Sequence, residues 1–325
     1  MLSYPDFKEK NIAIVFAEEK QYFSFQNDNL IVKDKDDKVV LQKTCHRLLA
    51  LWVVGHCALS SGLMERSKKF GFPVLLLSYN FRLIGCWNAP TEGNFLLRKK
   101  QYYYKDWEIG KHLVSNKIEN QIAMLNSIRK KSLTCKEAIQ SLRKYQNQLS
   151  GAQNLSDIMG IEGIASRLYF DHWFFALPWK GRRPRAKIDP INVLLDMGYT
   201  FLFYLVENML HLYGFDVYQG VYHRNFYHRK SLVCDLQEPF RCIVDRIIKN
   251  AYNLGQVKED DFVFERGQYK LMYKKNKEYT RFLLLGILEY KTDIFLYCQK
   301  YYRAFIQEKP IETFPVFTIS ASQND

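Results

Sequence analysis

The chain has 325 residues and carries 47 Lys and Arg against 34 Asp and Glu, a formal charge of +13. Its 47% apolar and 15% aromatic content excludes wholesale disorder, and 16 Gly with 9 Pro are too few for a collagenous or low-complexity fibre. At ~100–200 residues per domain the length predicts two domains, and the surplus of cations favours a polyanionic partner, nucleic acid first among them.

The N-terminus MLSYPDFKEKN mixes acids and bases and has no apolar run of the kind a secretory signal needs. From Asn11 to Trp87, short stretches rich in β-branched and aromatic residues (NIAIVFA, QYFSF, NLIVK, KVVLQ, PVLLLS) are separated by turn signals such as QNDN and DKDDK. One helix is predicted over 60–70, where Ser60 or Ser61 can cap and Gly71 can close. The apolar run 48–59 is broken by Gly55 and His56 and falls short of the ~18–20 residues of a membrane helix. Its His56-Cys57, with Cys45-His46, invites a zinc reading, but a His or Cys inside such a run is more often core.

At WNAPTEGN the pattern changes, and apolar residues then recur at helical spacing over 95–129, 136–149, 157–175, 191–213, 240–254 and 277–305. The expected fold is therefore an α+β two-domain protein, with a small mainly β N-terminal domain (1–88) and a linker (89–101). A larger all-α domain (102–309) and a loose polar tail (310–325) with two prolines complete it. Seven cysteines, odd in number and without a C-x-x-C pair, read as reduced thiols of a cytoplasmic protein.

Three places could carry chemistry. On the helix from Asp157, the residues Ile158, Ile161, Ala165, Leu168, Tyr169 and His172 form the buried stripe, and Glu162 falls on it beside Gly163. A carboxylate there needs a cation, a metal or a donor, Arg167 being the simplest partner. The segment YHRNFYHRKSLVCDLQE gathers His223, His228, Arg224, Arg229, Lys230, Asp235 and Glu238, with Arg241 just beyond. Imidazole and carboxylate are ligand types for a divalent metal, and a metal beside arginines assists phosphodiester chemistry. Equally, D-x-x-E ahead of PFRCIVDRII is a capping box with Asp235 as N-cap and Glu238 reaching back. Spacing leaves both readings open.

The third place is KGRRPRAK, which puts Lys180, Arg182, Arg183, Arg185 and Lys187 within eight residues with no acid, dense enough for a phosphate-binding arm. Tyrosines also alternate with bases at RKKQYYYK and YKLMYKKNKEYTR, where stacking on unpaired bases competes with ordinary packing.

GIEGIASRLYF, KIDPINVLLDMGYTFLF, GFDVYQGVYH and KSLVCDLQEPFRCIVD together resemble, in order, the signature blocks of the CRISPR-associated spacer-acquisition integrase/endonuclease family, and ALSSGLMERSKKFGFPVLLLS is similar to its small domain. The resemblance implies an N-terminal β domain that dimerises and a helical catalytic domain. It also implies that Glu162, His223 and Glu238 hold Mg²⁺ or Mn²⁺, with Asp235 as a possible further acid. Asp196, Tyr222 and Cys242 depart from the family's usual Asn, Leu and Pro, and the basic stretch before Lys187 departs from its pattern altogether.

On this resemblance the protein is expected to insert short DNA with 3′-hydroxyl ends into CRISPR repeat DNA, in prokaryotic antiviral defence. Its partners would be double-stranded DNA, a second copy of itself and a small companion adaptation protein bridging two dimers, with no membrane. Arg167, Lys180, Arg182, Arg183, Arg185, Lys187, Arg224, Arg229 and Arg241 are the expected DNA-binding residues. The alternatives are a metal-dependent nuclease or casposon-like transposase without a repeat requirement, and a non-catalytic DNA-binding scaffold in which the acids are structural.

Overall fold

Short runs rich in β-branched and aromatic residues set the first strands. A short helix α1 (Tyr4–Lys8) precedes strands β1 (Asn11–Phe16), β2 (Tyr22–Gln26), β3 (Asn29–Lys33), β4 (Val39–Thr44) and β5 (Leu48–Val54). Helix α2 (Ser61–Phe70) and strands β6 (Val74–Leu77) and β7 (Leu83–Trp87) complete the unit. The computed structural model describes residues 4–17, 21–79, 81–88, 94–223 and 227–319. The chain divides into two units, Met1–Gly93 and Asn94–Asp325.

In the N-terminal unit β1, β5, β6 and β7 form one sheet, parallel except for the last pair, and β2, β3 and β4 form a second, antiparallel one. All seven residues of β5 are buried. A central parallel strand covered on both faces shows no alternation, so LLALWVV reads in sequence as an apolar run and not as a strand. The parallel step from β5 to β6 needs a crossover, which α2 supplies. Ser60 sits at its N-cap position and Gly71 closes it in the left-handed region at φ 69°.

The C-terminal unit opens with α3 (Phe95–Tyr103) and α4 (Glu108–Ser127). The expected single helix over 95–129 breaks because Asp106 Oδ1 accepts from the backbone N–H groups of Trp107 and Glu108, which starts a new helix. Helices α5 (Leu133–Gln148), α6 (Leu155–Trp173), α7 (Pro190–Tyr213), α8 (Ser231–Gln237) and α9 (Arg241–Asn253) follow. After them come a hairpin, β8 (Phe262–Glu265) and β9 (Gln268–Leu271), and then α10 (Asn276–Leu288) and α11 (Lys291–Ile306).

The hairpin corrects the all-α expectation. Its two-residue turn, Arg266 at φ 52° and Gly267 at φ 79°, has the doubly positive backbone that matches strand twist. The segment expected as one helix over 277–305 is likewise two helices.

Helix α7 is the core of this unit. Asp189 caps it by accepting from Asn192 N at 2.7 Å, Pro190 takes the first turn, and Gly214 ends it at φ 79°. It is long and apolar enough to cross a membrane by composition alone, but 83% of its most apolar window is buried by the rest of the protein. A Cβ on Gly198 would stand 2.4 Å from Val244 Cγ1, so this glycine permits the close crossing of α7 and α9.

The last described segment is not a loose tail. Phe314, Phe317 and Ile319 are buried, and Asn116 and Asn120 of α4 hold the extended backbone as a strand would. Asn116 Nδ2 donates to Phe317 O at 2.7 Å and its Oδ1 accepts from Phe317 N at 2.9 Å, while Asn120 Oδ1 accepts from Ile319 N at 2.8 Å. Two prolines within a polar stretch signal the absence of a helix, not the absence of packing. Phe317→Ala should therefore cost the C-terminal unit about 3 kcal/mol in urea unfolding. Val316→Ala, on the exposed face of the same segment, should stay within about 0.5 kcal/mol.

Candidate metal centre

Glu162 and Glu238 lie on different helical segments, yet both contact the ammonium of Lys117 on α4. Lys117 Nζ contacts Glu162 Oε1 and lies 2.7 Å from Glu238 Oε2. The three side chains are only 10%, 22% and 5% exposed, so these charges meet in a largely desolvated place. Glu162 comes from the buried stripe of α6, where Ser166 Oγ also donates to it at 2.9 Å. Its partner is thus Lys117 and not Arg167, which points to solvent on the same helix.

Glu238 stands where α8 gives way to a single 3₁₀ turn, Glu238–Phe240, before α9. Pro239 has no N–H to continue the helical ladder, and the bend turns Glu238 inward. Its Oε2 also lies 3.0 Å from Arg241 Nε. Both contacts are close approaches of charge without hydrogen-bond alignment, and Glu238 Oε2 and Arg241 Nε remain buried without an aligned partner.

The capping-box reading of Asp235 and Glu238 is overturned. Asp235 is fully buried within α8, and its carboxylate turns away from the helix start to collect four donors from the loop before it. Oδ2 accepts from Val221 N at 2.7 Å and Tyr222 N at 3.0 Å, and Oδ1 accepts from His223 N at 2.8 Å and meets His223 Nδ1 at 2.7 Å. Asp235 therefore fixes the backbone that carries His223 and orients its ring, leaving Nε2 as the nitrogen that could take a metal. Gly220 permits this turn, since a Cβ there would lie 2.8 Å from Asp235 Oδ2 and 2.7 Å from Ser231 Cβ.

Charge in the cluster is strongly coupled. Burial opposes ionisation of Glu238, but Arg241, Lys117 and His223 outweigh it and hold the carboxyl at about 2. Burial likewise disfavours the Lys117 ammonium, yet Glu162 and Glu238 raise its pKa above the ordinary lysine value. Tyr222 is buried beside these groups, and burial with the charges of Glu162, Glu238 and Asp235 keeps its hydroxyl protonated.

Behind Arg241 lies Tyr199, with the guanidinium 4.6 Å from the ring centroid. The Tyr199 hydroxyl donates to Asp245 Oδ1 at 2.5 Å, and Tyr169 donates to Oδ2 at 3.1 Å. Burial pushes Asp245 up to about 6 despite these two donors.

The expected arm KGRRPRAK is a built loop. Lys180 N, Arg183 N and Arg185 N donate to Asp189, Asn192 and Asp196 at the start of α7. Arg182 reaches Asn192 Oδ1 at 3.0 Å and Asp196 Oδ1 at 2.8 Å, and it lies over the Tyr199 ring at 5.5 Å. Asp196 and the basic stretch, two departures from the family pattern, are thus partners. Arg182 and Arg241 have internal carboxylates, and Arg229 is half-buried against Cys234. Lys180, Arg183, Arg185 and Arg167 are exposed, Lys187 is half-buried, and Arg224 falls outside the described residues.

Among the described residues, no three His, Cys, Asp or Glu side chains enclose an ion as they stand. The donors nevertheless fit Mg²⁺ or Mn²⁺ in kind. Two carboxylates converge on one cation position, one of them with a buried oxygen lacking an aligned donor, and an imidazole held by a carboxylate stands beside them. Lys117 was not legible from the sequence as part of this set. Helix α4 buries Asn116, Asn120 and Gln121 as well, so no apolar face marked the lysine out.

Two measurements check this account. Asp235→Asn must turn an N–H toward other donors, so it should weaken Mn²⁺ binding about tenfold or more, read from the free-ion signal in paramagnetic resonance. The second is pH dependence. Asp245 has a raised pKa in the folded state, so it takes up a proton before the unfolded chain does, and folding gains stability as pH falls through about 6 toward its ordinary 3.8. Glu238 has a depressed one, so its stabilisation is present above its ordinary 4.5 and is lost as pH falls toward about 2. Urea midpoints of the wild-type chain should carry a gain from Asp245 as pH falls from 7 to about 5, and those of Asp245→Asn should lack it.

The family model described as CRISPR associated protein Cas1 matches residues 14–283. The chain is similar to CRISPR-associated endonuclease Cas1 1 of Thermodesulfovibrio yellowstonii, at 31% identity over 236 residues covering 69% of this chain and 74% of that protein. Its similarity to the CRISPR-associated endonuclease Cas1 1 of Archaeoglobus fulgidus is 28% over 270 residues, covering 74% and 78%. Among solved structures, a casposase bound to integration product superposes with a TM-score of 0.80 at 18% identity, covering 97% of this chain and 96% of that one. A Cas1 protein from Thermotoga maritima gives 0.77 at 19% identity, covering 91% and 97%. In a Cas6-RT-Cas1–Cas2 complex the chain covers 36% of a longer polypeptide, at a TM-score of 0.81 and 24% identity. These structural likenesses establish the fold, and the family match over most of the sequence makes the chain a member of the CRISPR-associated Cas1 family.

Proposed function

We propose that the protein is a metal-dependent DNA integrase that joins the 3′-hydroxyl ends of short DNA duplexes to the backbone of CRISPR repeat DNA. The observation that carries this reading is the convergence of Glu162 and Glu238 on one cation position beside a His223 oriented by Asp235. In the reaction the 3′-oxygen of the incoming end forms a bond to a repeat phosphorus and gives its hydroxyl proton to solvent, while the bond from that phosphorus to the repeat strand's own 3′-oxygen breaks and the released oxygen takes up a proton to become a 3′-hydroxyl. No external energy source is needed, because one phosphodiester replaces another.

Glu162, His223 and Glu238 would hold Mg²⁺ or Mn²⁺, which supplies Lewis-acid polarisation of the phosphate and stabilises the leaving oxygen. The remaining roles fall to this chain's own groups. Asp235 keeps His223 in a single ring orientation. Tyr222, buried against the acids, keeps water from that side of the site. Lys180, Arg183, Arg185 and Arg167, exposed on the same unit, contact backbone phosphates without reading sequence.

The structural likenesses to a casposase bound to integration product and to a Cas6-RT-Cas1–Cas2 complex support DNA and a small companion protein as partners. On the N-terminal unit the exposed Val39, Val40, Ile84 and Trp87 give a second copy of the chain apolar surface to cover.

The test is strand joining. Purified protein with Mn²⁺ should join a labelled duplex to a plasmid bearing a repeat array and not to one lacking it. Glu162→Gln and His223→Ala should each lower joining at least a hundredfold with little change in duplex binding. Equal joining to both plasmids would make the enzyme a repeat-independent transposase. Full activity of either variant would reject the site.

A further inference from the structure

We propose that Lys117 is a positioning residue whose ammonium holds Glu162 and Glu238 together until a divalent cation takes its place. The proposal rests on the metal-site reading above and deepens it, by assigning to this chain a tethered cation that competes with the metal for one position.

Lys117 Nζ contacts a carboxylate oxygen of each acid. Two carboxylates drawn this close in a desolvated site repel each other strongly unless a cation lies between them. The lysine meets that requirement without metal.

The rest of α4 is tied to its neighbours by side-chain hydrogen bonds. Asn120 Nδ2 donates to Pro239 O at 3.3 Å, next to Glu238, and Gln121 Nε2 donates to Ser166 Oγ at 3.3 Å, the hydroxyl that donates onward to Glu162. Asn116 and Asn120 also bind the C-terminal segment. What can move is the flexible four-carbon stem of the lysine itself. The ammonium is a point charge with no preferred plane, so it can leave one set of oxygens without breaking a bidentate fit. Arg241 differs, because its guanidinium is also stacked on Tyr199.

A permanent structural ion pair makes the opposite prediction about the metal. If Lys117 only organises the carboxylates for an ion bound alongside, neutralising it loosens the site and weakens metal binding. If ammonium and metal compete for the same oxygens, neutralising it strengthens binding and makes folding depend more on metal.

The experiment is Mn²⁺ titration of the full chain without DNA, read from the free-ion paramagnetic resonance signal, together with melting temperature with and without Mn²⁺. Lys117→Met should bind Mn²⁺ at least tenfold more tightly than the wild type. It should melt lower without metal and show the larger rise in melting temperature when Mn²⁺ is added. Lys117→Arg, which keeps a cation, should bind no more tightly than the wild type. If Lys117→Met fails to fold, Lys117→Gln carries the same expectations.

Equal or weaker Mn²⁺ binding in the neutral variant overturns the proposal while leaving the metal site standing. The double variant Glu162→Gln, Glu238→Gln separates the two claims. It should lose Mn²⁺ binding with or without Lys117→Met, and if it binds Mn²⁺ as the wild type does, the metal-site reading falls and the proposal with it.

Discussion

A buried charge cluster organises the C-terminal unit. Lys117, Glu162, Glu238 and Arg241 come from α4, from α6, from the 3₁₀ turn after α8 and from the first residue of α9, and each pairs with another across an element boundary. Leaving one member of such a cluster unpaired costs roughly 3–5 kcal/mol, comparable to removing a large core side chain. The cluster therefore ties α4, α6 and the join of α8 and α9 to one another. Pro239 of the 3₁₀ turn lies between Glu238 and Arg241, so both partners of one pair flank the join of α8 and α9.

Two layers of support surround the cluster. On one side Asp235 spends its carboxylate on three backbone N–H groups and on His223, so the loop that carries the imidazole is held by a buried side chain. On the other, Tyr199 connects Arg241, Arg182 and Asp245 through a ring face and a hydroxyl. Arg182 in turn belongs to the basic loop that Asp189, Asn192 and Asp196 clamp to the start of α7. The loop's exposed cations are thus presented on a fixed backbone connected through one tyrosine to the arginine beside Glu238. On the proposed reading, a phosphate held by the loop would meet groups whose positions are already determined.

How much of this was legible in the sequence depended on whether polarity interrupted an expected period. Glu162 stood out because it broke an apolar stripe, and α2 was legible down to its cap residues because Ser60 and Gly71 bracket it. Lys117 was hidden for the converse reason. Helix α4 buries Asn116, Lys117, Asn120 and Gln121 along with its apolar residues, so the pattern gives no face on which a lysine looks misplaced. Strand β5 escaped notice because burial on both sides erases alternation, and the segment after Pro310 because side-chain amides of α4, not neighbouring strands, pair its backbone. The D-x-x-E spacing satisfied a capping box and a ligand pair equally. Only tertiary donors to Asp235, 12 to 14 residues earlier in the chain, decided what it does.

The charge balance of the cluster bears on the opening +13 of the chain. Among the four charges of the cluster, Lys117 and Arg241 offset Glu162 and Glu238, while the exposed bases lie on the surrounding loop and on α6. A balanced cluster gives an incoming phosphate no net attraction from these four groups. The surface cations can gather DNA, but stabilising the charge that develops on a transferring phosphate requires further positive charge at the acids themselves. A divalent ion replacing one ammonium between two carboxylates adds a single net positive charge, which matches the single negative charge of a phosphodiester. On the proposed reading, the surface charge of the chain would account for capture, and the exchange at Lys117 for the difference between holding DNA and reacting with it.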